Sequence, residues 1–305
     1  MSAAMEMPGG QPRKSRLISI VIVHYNTLEL TRACLQSIRT DAAGLDTEVL
    51  VVDNGSSDGS GEQLAREFPD VRVLSGGGRL GFAAANNLAA HQSHGDYLLF
   101  LNSDTELRNH ALQQLLDFMD ATPDCAISGC RLLRKDGSLD KACRRSFPTP
   151  LVALYKVLGL NALFPRSRHF SRYDLSYLPE DGRYLIDCGV GAFMFCRLPV
   201  VKELGFFDED YFFYGEDIDL CYRVRQRGHS IWYLGDIDIL HHKRGTSLKS
   251  GTWVMHHFHA SMLIFYRKHY RQQYPWFVNW LVYAGVGTRY ALVRLLAMVL
   301  GRQKG

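Results

Sequence analysis

Four short stretches in the first hundred residues constrain this chain most: "LISIVIV" (17–23), "TEVLVVD" (47–53), "VRVLS" (71–75) and "YLLFLN" (97–102). Each is β-rich and almost continuously apolar, the pattern of a strand covered on both faces. Between them lie helical patterns: "LELTRACLQSI", "SGEQLAREF" with Ser60 and Gln63 at capping-box spacing, and "GFAAANNLAAHQ". Strand and helix alternating in this way predict an α/β fold, a mostly parallel sheet flanked by helices.

After the amphipathic "NHALQQLLDFMDA" the rhythm changes. "RKDGSL" predicts a turn between strands through Asp136-Gly137. Residues 148–183, rich in Pro, Arg and aromatics, predict a loop carrying one apolar helix, "LVALYKVLGLNALF". A second packed region follows, with "YLIDCGVGAFMFCRL", a helix "PVVKELG", a helix starting near "GEDIDL", and the strand-like "IWYLGDIDIL".

In an open parallel sheet, ligands bind beyond the carboxyl ends of the strands. Here those ends carry "HYN" (His24, Tyr25, Asn26), "DNGSSDGS" (Asp53, Asn54, Asp58) and "NSD" (Asn102, Ser103, Asp104). Asp and Asn also shape turns and cap helices, which is the competing account for Asn54 and Asp58. For Asp53 and Asp104, delivery to a ligand crevice by a rigid strand is the stronger reading. No G-x-G-x-x-G follows the first strand and no G-x-x-x-x-G-K-[ST] occurs, which argues against dinucleotide and P-loop sites. A phosphate bound here would need another neutraliser, and a divalent cation held by Asp104 would serve.

Glu216, Asp217 and Asp219 sit among aromatics at a helix start, where carboxylates also favour the dipole. Asp217 and Asp219 point in different directions on such a helix. Aromatic walls raise the pKa of an inward carboxylate, as a general base requires. Arg223 is placed to pair with Asp219. In "LHHKRGTS" either His241 or His242 follows a strand, which turns only one of them inward. "HHFH" (256–259) does not present its histidines on one helical face and reads as structural.

Taken in order, "SIVIVHYN", "VVDNGSSDGS", "GFAAANN", "LFLNSDTEL", "GAFMFCRLPVVKELGFFDEDYFFYGEDIDLCYR" and "HHKRGTS" resemble the family 2 glycosyltransferases of the GT-A fold, in their rhamnosyltransferase-like branch. The resemblance spans roughly Ile18 to Ser247. It implies inverting transfer of a sugar from a nucleotide-diphosphate donor to a hydroxyl, assisted by Mg²⁺ or Mn²⁺. Tyr25, Asn26, Asp53, Arg79, Ser103 and Asp104 would then form the donor side. Asp104 is the remaining aspartate of a D-x-D-type metal motif, and Arg79 stands where relatives often carry Asn. Asp217 would be the base, with Glu216 and Asp219 on the acceptor side. His242 matches the histidine of H-x-x-G-x-S and would be a further metal ligand. By the same resemblance dTDP-rhamnose is the first donor expected, ahead of UDP- or GDP-sugars. Asp53, Asp104, Asp217 and His242 are all expected at one pocket.

The formal charge of +4 hides an asymmetry: after Ile239 there is no Asp or Glu but ten of the 35 basic residues, and the remaining 25 face 31 acidic ones. A basic tail on an acidic body implies an anionic partner. Within it, "YPWFVNWLVYAGVGTRYALVRLLAMVL" (274–300) is apolar but interrupted by Arg289 and Arg294. Its longest uncharged run, Gln272 to Thr288, is marginal for crossing a core of about 30 Å. Trp276, Trp280 and Tyr283 instead fit an interfacial helix on anionic lipid; packing into the core or a dimer contact is the alternative. The tail is too apolar for nucleic acid. Seven cysteines without a C-x-x-C pair fit a reduced compartment. The expected organisation is a disordered lead-in (1–16), a glycosyltransferase domain (17–248) and a membrane-associating helical tail (249–305). It would work on the cytoplasmic face of the inner membrane, with a glycan or polyprenyl-diphosphate-linked acceptor in envelope polysaccharide synthesis. A sugar-nucleotide nucleotidyltransferase and a non-catalytic carbohydrate-binding module are the rival readings.

Overall fold

The structure is a computed structural model and describes residues 16–242 and 251–302. The expected lead-in before Arg16, and Gly245 and Ser247 of the histidine motif, lie outside the described residues. The first half alternates as expected: β1 (Leu17–His24), α1 (Leu28–Asp41), β2 (Asp46–Asp53), α2 (Ser60–Glu67), β3 (Arg72–Ser75), α3 (Phe82–Ala90) and β4 (Tyr97–Asn102). Then come β5 (Thr105–Glu106), α4 (Ala111–Ala121), β6 (Cys125–Leu133), α5 (Pro150–Val157) and α6 (Leu160–Leu163). The chain continues through β7 (Arg183–Leu185), β8 (Phe193–Arg197), α7 (Leu198–Glu203), α8 (Glu216–Gln226) and β9 (Ser230–His241), and finishes in α9 (Gly251–His269) and α10 (Trp276–Arg302).

The strands form one sheet in the order β3-β2-β1-β4-β8-β6-β9-β5, with β7 also on β9. Its β3-β2-β1-β4 side is parallel throughout, and Tyr97 to Leu101 are buried there as their unbroken apolar run requires. Beyond β4 the sheet is mixed: β8 runs antiparallel between β4 and β6, while β6 and β9 are parallel. The first residues of β8 therefore lie beside the end of β4, and the Asn102 N–H donates to the Ala192 carbonyl at 3.0 Å. This adjacency brings the two halves of the chain to one rim.

Two local expectations are corrected. The capping box at Ser60 and Gln63 does not form, because left-handed Gly59 (φ 74°) is the N-cap. Ser60 Oγ instead sits 2.6 Å from His24 Nε2, and Gln63 bonds Glu67. The single helix expected over 151–164 is broken into α5 and α6 at Gly159, whose φ of 71° suits a residue without Cβ. The Asp136-Gly137 turn forms, with the Ser138 amide donating to the Asp136 carboxylate and Leu133 bridging Leu139. At the C-terminus α9 and α10 pack as a hairpin around Tyr266, Tyr270 and Tyr274, and Tyr266 Oη donates to Asn279 Oδ1 at 2.6 Å.

Candidate active site

A cleft of about 1030 Å³ opens over the carboxyl ends of β1 and β4. Tyr25, Arg79, Ser103, Asp104, Glu216 and Asp217 line it, so donor-side and base candidates from distant parts of the chain share one cavity.

On the donor side, Arg79 lies over the rings of Tyr25 (4.9 Å) and Trp253 (5.3 Å) and pairs with no carboxylate among the described residues. Its loop is pinned by Asn54, whose side chain accepts from the Leu80 N–H (2.7 Å) and donates to the Leu80 carbonyl (3.0 Å). Asn54 thus takes the structural role that its residue type allowed. Asn26 and Asp53 do not line the cleft. Asn26 Oδ1 accepts the Ser57 amide at 2.9 Å, and Asp53 Oδ1 accepts the Ser56 amide at 3.0 Å. A Cβ on Gly61 would collide with the Asp53 carboxylate, so α2 approaches that closely only because residue 61 is glycine. His24 is buried between Thr31 and Ser60 and ties α1 to α2.

Asp104 is buried at the tip of the turn after β4, with its Oδ1 3.3 Å from His241 Nε2. The other ring nitrogen of His241 lies 3.2 Å from Asp140 Oδ2. Burial opposes protonation of His241, but the two carboxylates outweigh it and raise its pKa to about 9. His242, by contrast, turns away to Glu106, since successive side chains of a strand face opposite ways. Of the two histidines, His241 lines the cleft and faces Asp104. Among the described residues no three His, Cys, Asp or Glu side chains converge as a metal cage. A carboxylate and an imidazole do fit a cation that completes its shell with diphosphate oxygens and water, once His241 has given up a proton.

At the start of α8, Asp217 is buried with Oδ2 accepting from Arg145 Nη2 (2.7 Å) and the Gly191 amide (3.1 Å). Its Oδ1 accepts the Ile218 amide at 2.7 Å. The same Arg145 Nη2 also donates to the Gly189 carbonyl, which holds the guanidinium against the carboxylate. The carboxyl group lifted by its surroundings is Glu216: burial, then the charge of Asp217, pushes its pKa up to about 8, and its Oε2 has no hydrogen-bond partner among the described residues. Asp219 does not reach the cleft. Two residues on along the helix, it faces α9 and binds Arg223 Nε and His269 Nε2, each at 2.6 Å. Arg145 and Asp140 were not singled out from sequence; each meets its partner across more than seventy residues, and no local pattern marks either.

Residues 19–195 match the family model described as Glycosyl transferase family 2. The chain belongs to glycosyl transferase family 2. It is 27% identical over 228 residues to the N-acetylglucosaminyl-diphospho-decaprenol L-rhamnosyltransferase of Mycobacterium tuberculosis, covering 71% of this chain and 73% of that one. Rhamnosyltransferase WbbL of Escherichia coli K12 is 24% identical over 238 residues, covering 74% of this chain and 83% of WbbL. The mannosyltransferase PcManGT of Pyrobaculum calidifontis, solved with GDP-Man and Mn²⁺, superposes with a TM-score of 0.57 at 16% identity, over 97% of this chain and 78% of that one. That likeness shows the fold, a GT-A sheet with a C-terminal helical extension. Family 2 membership makes the chain a glycosyltransferase and sets aside the nucleotidyltransferase and binding-module readings.

Proposed function

We propose that this glycosyltransferase moves a sugar, rhamnose first among candidates, from a nucleoside-diphosphate donor to a hydroxyl of a lipid-linked glycan, with inversion. The observation that carries the reading is the shared cleft: Asp104 and Asp217, from separate halves of the chain, line one cavity together with Arg79. The rhamnosyltransferase relatives support the sugar and the decaprenyl-linked acceptor named for one of them supports the lipid.

Tyr25 lines the nucleoside side and Arg79 meets the diphosphate, while Asn26 and Asp53, outside the cleft wall, hold the 54–57 turn behind that side through the Ser57 and Ser56 amides. A divalent cation at Asp104 and His241 would supply Lewis-acid stabilisation of the departing phosphate oxygen. The acceptor oxygen bonds to the anomeric carbon from the face opposite the diphosphate, which leaves with the electron pair of the broken bond. The acceptor proton passes to Asp217. Arg145 and Gly191 occupy Oδ2, leaving Oδ1 a lone pair beside the Ile218 amide to receive it.

A panel of dTDP-, UDP- and GDP-sugars, with and without Mn²⁺ and a polyprenyl-diphosphate glycan, tests this by nucleotide release. One metal-stimulated donor is expected to release nucleotide. Silence across a panel of folded enzyme would end the reading.

A further inference from the structure

The cleft does not stop at Asp217. It runs on as an apolar furrow with Leu151, Leu154 and Val157 of α5 on one wall and Val278, Leu281 and Val282 of α10 on the other. Its rims are open hydrocarbon: Leu154 is 49% and Leu281 58% exposed. Exposed apolar surface of this extent marks an interaction site rather than ordinary protein surface. The volume of about 1030 Å³ stands at the upper end of the roughly 300–1,000 Å³ of small-molecule pockets. One nucleotide-sugar at the Asp104 end need not fill it.

Arg289 also lines the cleft. It is bonded to His259 Nε2 (3.1 Å) and pairs with no carboxylate among the described residues. The chain has no acidic residue after Ile239 to neutralise it locally. A single cavity therefore presents the proposed base, a cation with no carboxylate partner among the described residues, and hydrocarbon walls.

We propose that the furrow between α5 and α10 holds the hydrocarbon chain of an isoprenoid diphosphate acceptor, with Arg289 meeting its diphosphate and Asp217 at its sugar-bearing end. The inference rests on the glycosyl-transfer reading and specifies how its acceptor is held. An apolar chain suits walls that offer no hydrogen-bonding groups, and only an occupant continuous with the cleft can deliver a hydroxyl to Asp217.

The test is titration of full-length enzyme with farnesyl diphosphate, inorganic pyrophosphate and farnesol, following binding by calorimetry below the lipid's aggregation concentration. Farnesyl diphosphate is expected to bind at least tenfold more tightly than pyrophosphate. Leu154→Glu and Leu281→Glu, both at exposed positions that tolerate a charge, should each weaken it about tenfold, whereas Trp276→Ser, outside the cleft, should not. Arg289→Ala should weaken farnesyl diphosphate and leave farnesol unchanged. Equal affinity for farnesyl diphosphate and pyrophosphate, or full affinity in both Glu variants, overturns the proposal. Nucleotide release from the donor panel on the same preparations reads the catalytic assignment separately. Release without chain-dependent binding leaves catalysis and removes the furrow; chain-dependent binding without release does the reverse.

Discussion

Arg145 Nη2 lies 2.7 Å from Asp217 Oδ2, and both side chains are buried where the cleft meets α8. The pair joins the loop before α5 to the proposed base. Asp217→Asn should keep donor affinity and lose about 10²–10⁴-fold in turnover, the usual contribution of a positioned base. Arg145→Ala should cost about 3–5 kcal/mol of stability, because it strands a buried carboxylate. Arg145→Lys should fold better than Arg145→Ala yet lower kcat more than KM, since the shorter, flexible ammonium does not keep the position that the guanidinium Nη2 holds between Asp217 and the Gly189 carbonyl. Urea melts and steady-state kinetics read the two effects separately.

Glu216 gives stability a slope above the ordinary carboxylate range. Its pKa is raised to about 8 in the fold, whereas in the unfolded chain it titrates near its ordinary value of 4.5. Between those values the native state holds the extra proton, so unfolding is favoured progressively as pH rises from about 4.5 to about 8. Glu216→Gln should flatten that decline in melts taken across this window. An unchanged slope would assign it to other groups.

Asp104→Ala and His241→Ala should abolish the Mn²⁺-dependent part of donor binding measured by calorimetry, and His242→Ala should retain it. His242 contacts Glu106 and not Asp104, so the reverse order would restore it as the ligand.

Asp219→Ala should destabilise the protein by about 3 kcal/mol or more, with donor KM and acceptor KM unchanged. Burial works against the Asp219 charge, but His269 and Arg223 bring its pKa below the ordinary value. Its contribution is therefore complete above the unfolded pKa and lost as pH falls through the folded one. A raised acceptor KM in Asp219→Asn would return the residue to the acceptor side.

Trp276 and Trp280 are 79% and 65% exposed on α10, and the stretch Trp276–Met298 is by length and composition apolar enough to cross a membrane, with no residue of it fully buried. Trp276→Ser/Trp280→Ser should reduce flotation with anionic liposomes several-fold at low salt. Wild-type flotation by the double variant would remove these indoles from membrane contact.

The parallel half of the fold was legible because β1 to β4 carry their burial in their composition: "YLLFLN" has no residue that could face water until Asn102. Asp104 and Asp217 were legible because each follows a recognisable element boundary. The antiparallel half was not, since the pairing of β8 with both β4 and β6 depends on long-range register rather than on any local period. The choice between His241 and His242 turned on which way one strand residue faces, a one-residue matter that sequence spacing leaves open. The partners of Asp217 and His241 were hidden for the same reason, because Arg145 and Asp140 come from a loop region whose path only the folded chain fixes.

The bond from the Asn102 amide to the Ala192 carbonyl has a consequence for how such an enzyme can change its sugar. The acidic turn and the backbone anchor of the proposed base hang from neighbouring strands, so their spacing is a property of the sheet, with strands about 4.8 Å apart. Accommodating a bulkier hexose cannot come from widening that frame. It has to come from trimming or tilting what projects from it, which leaves the frame itself free to be inherited across enzymes of different sugar preference.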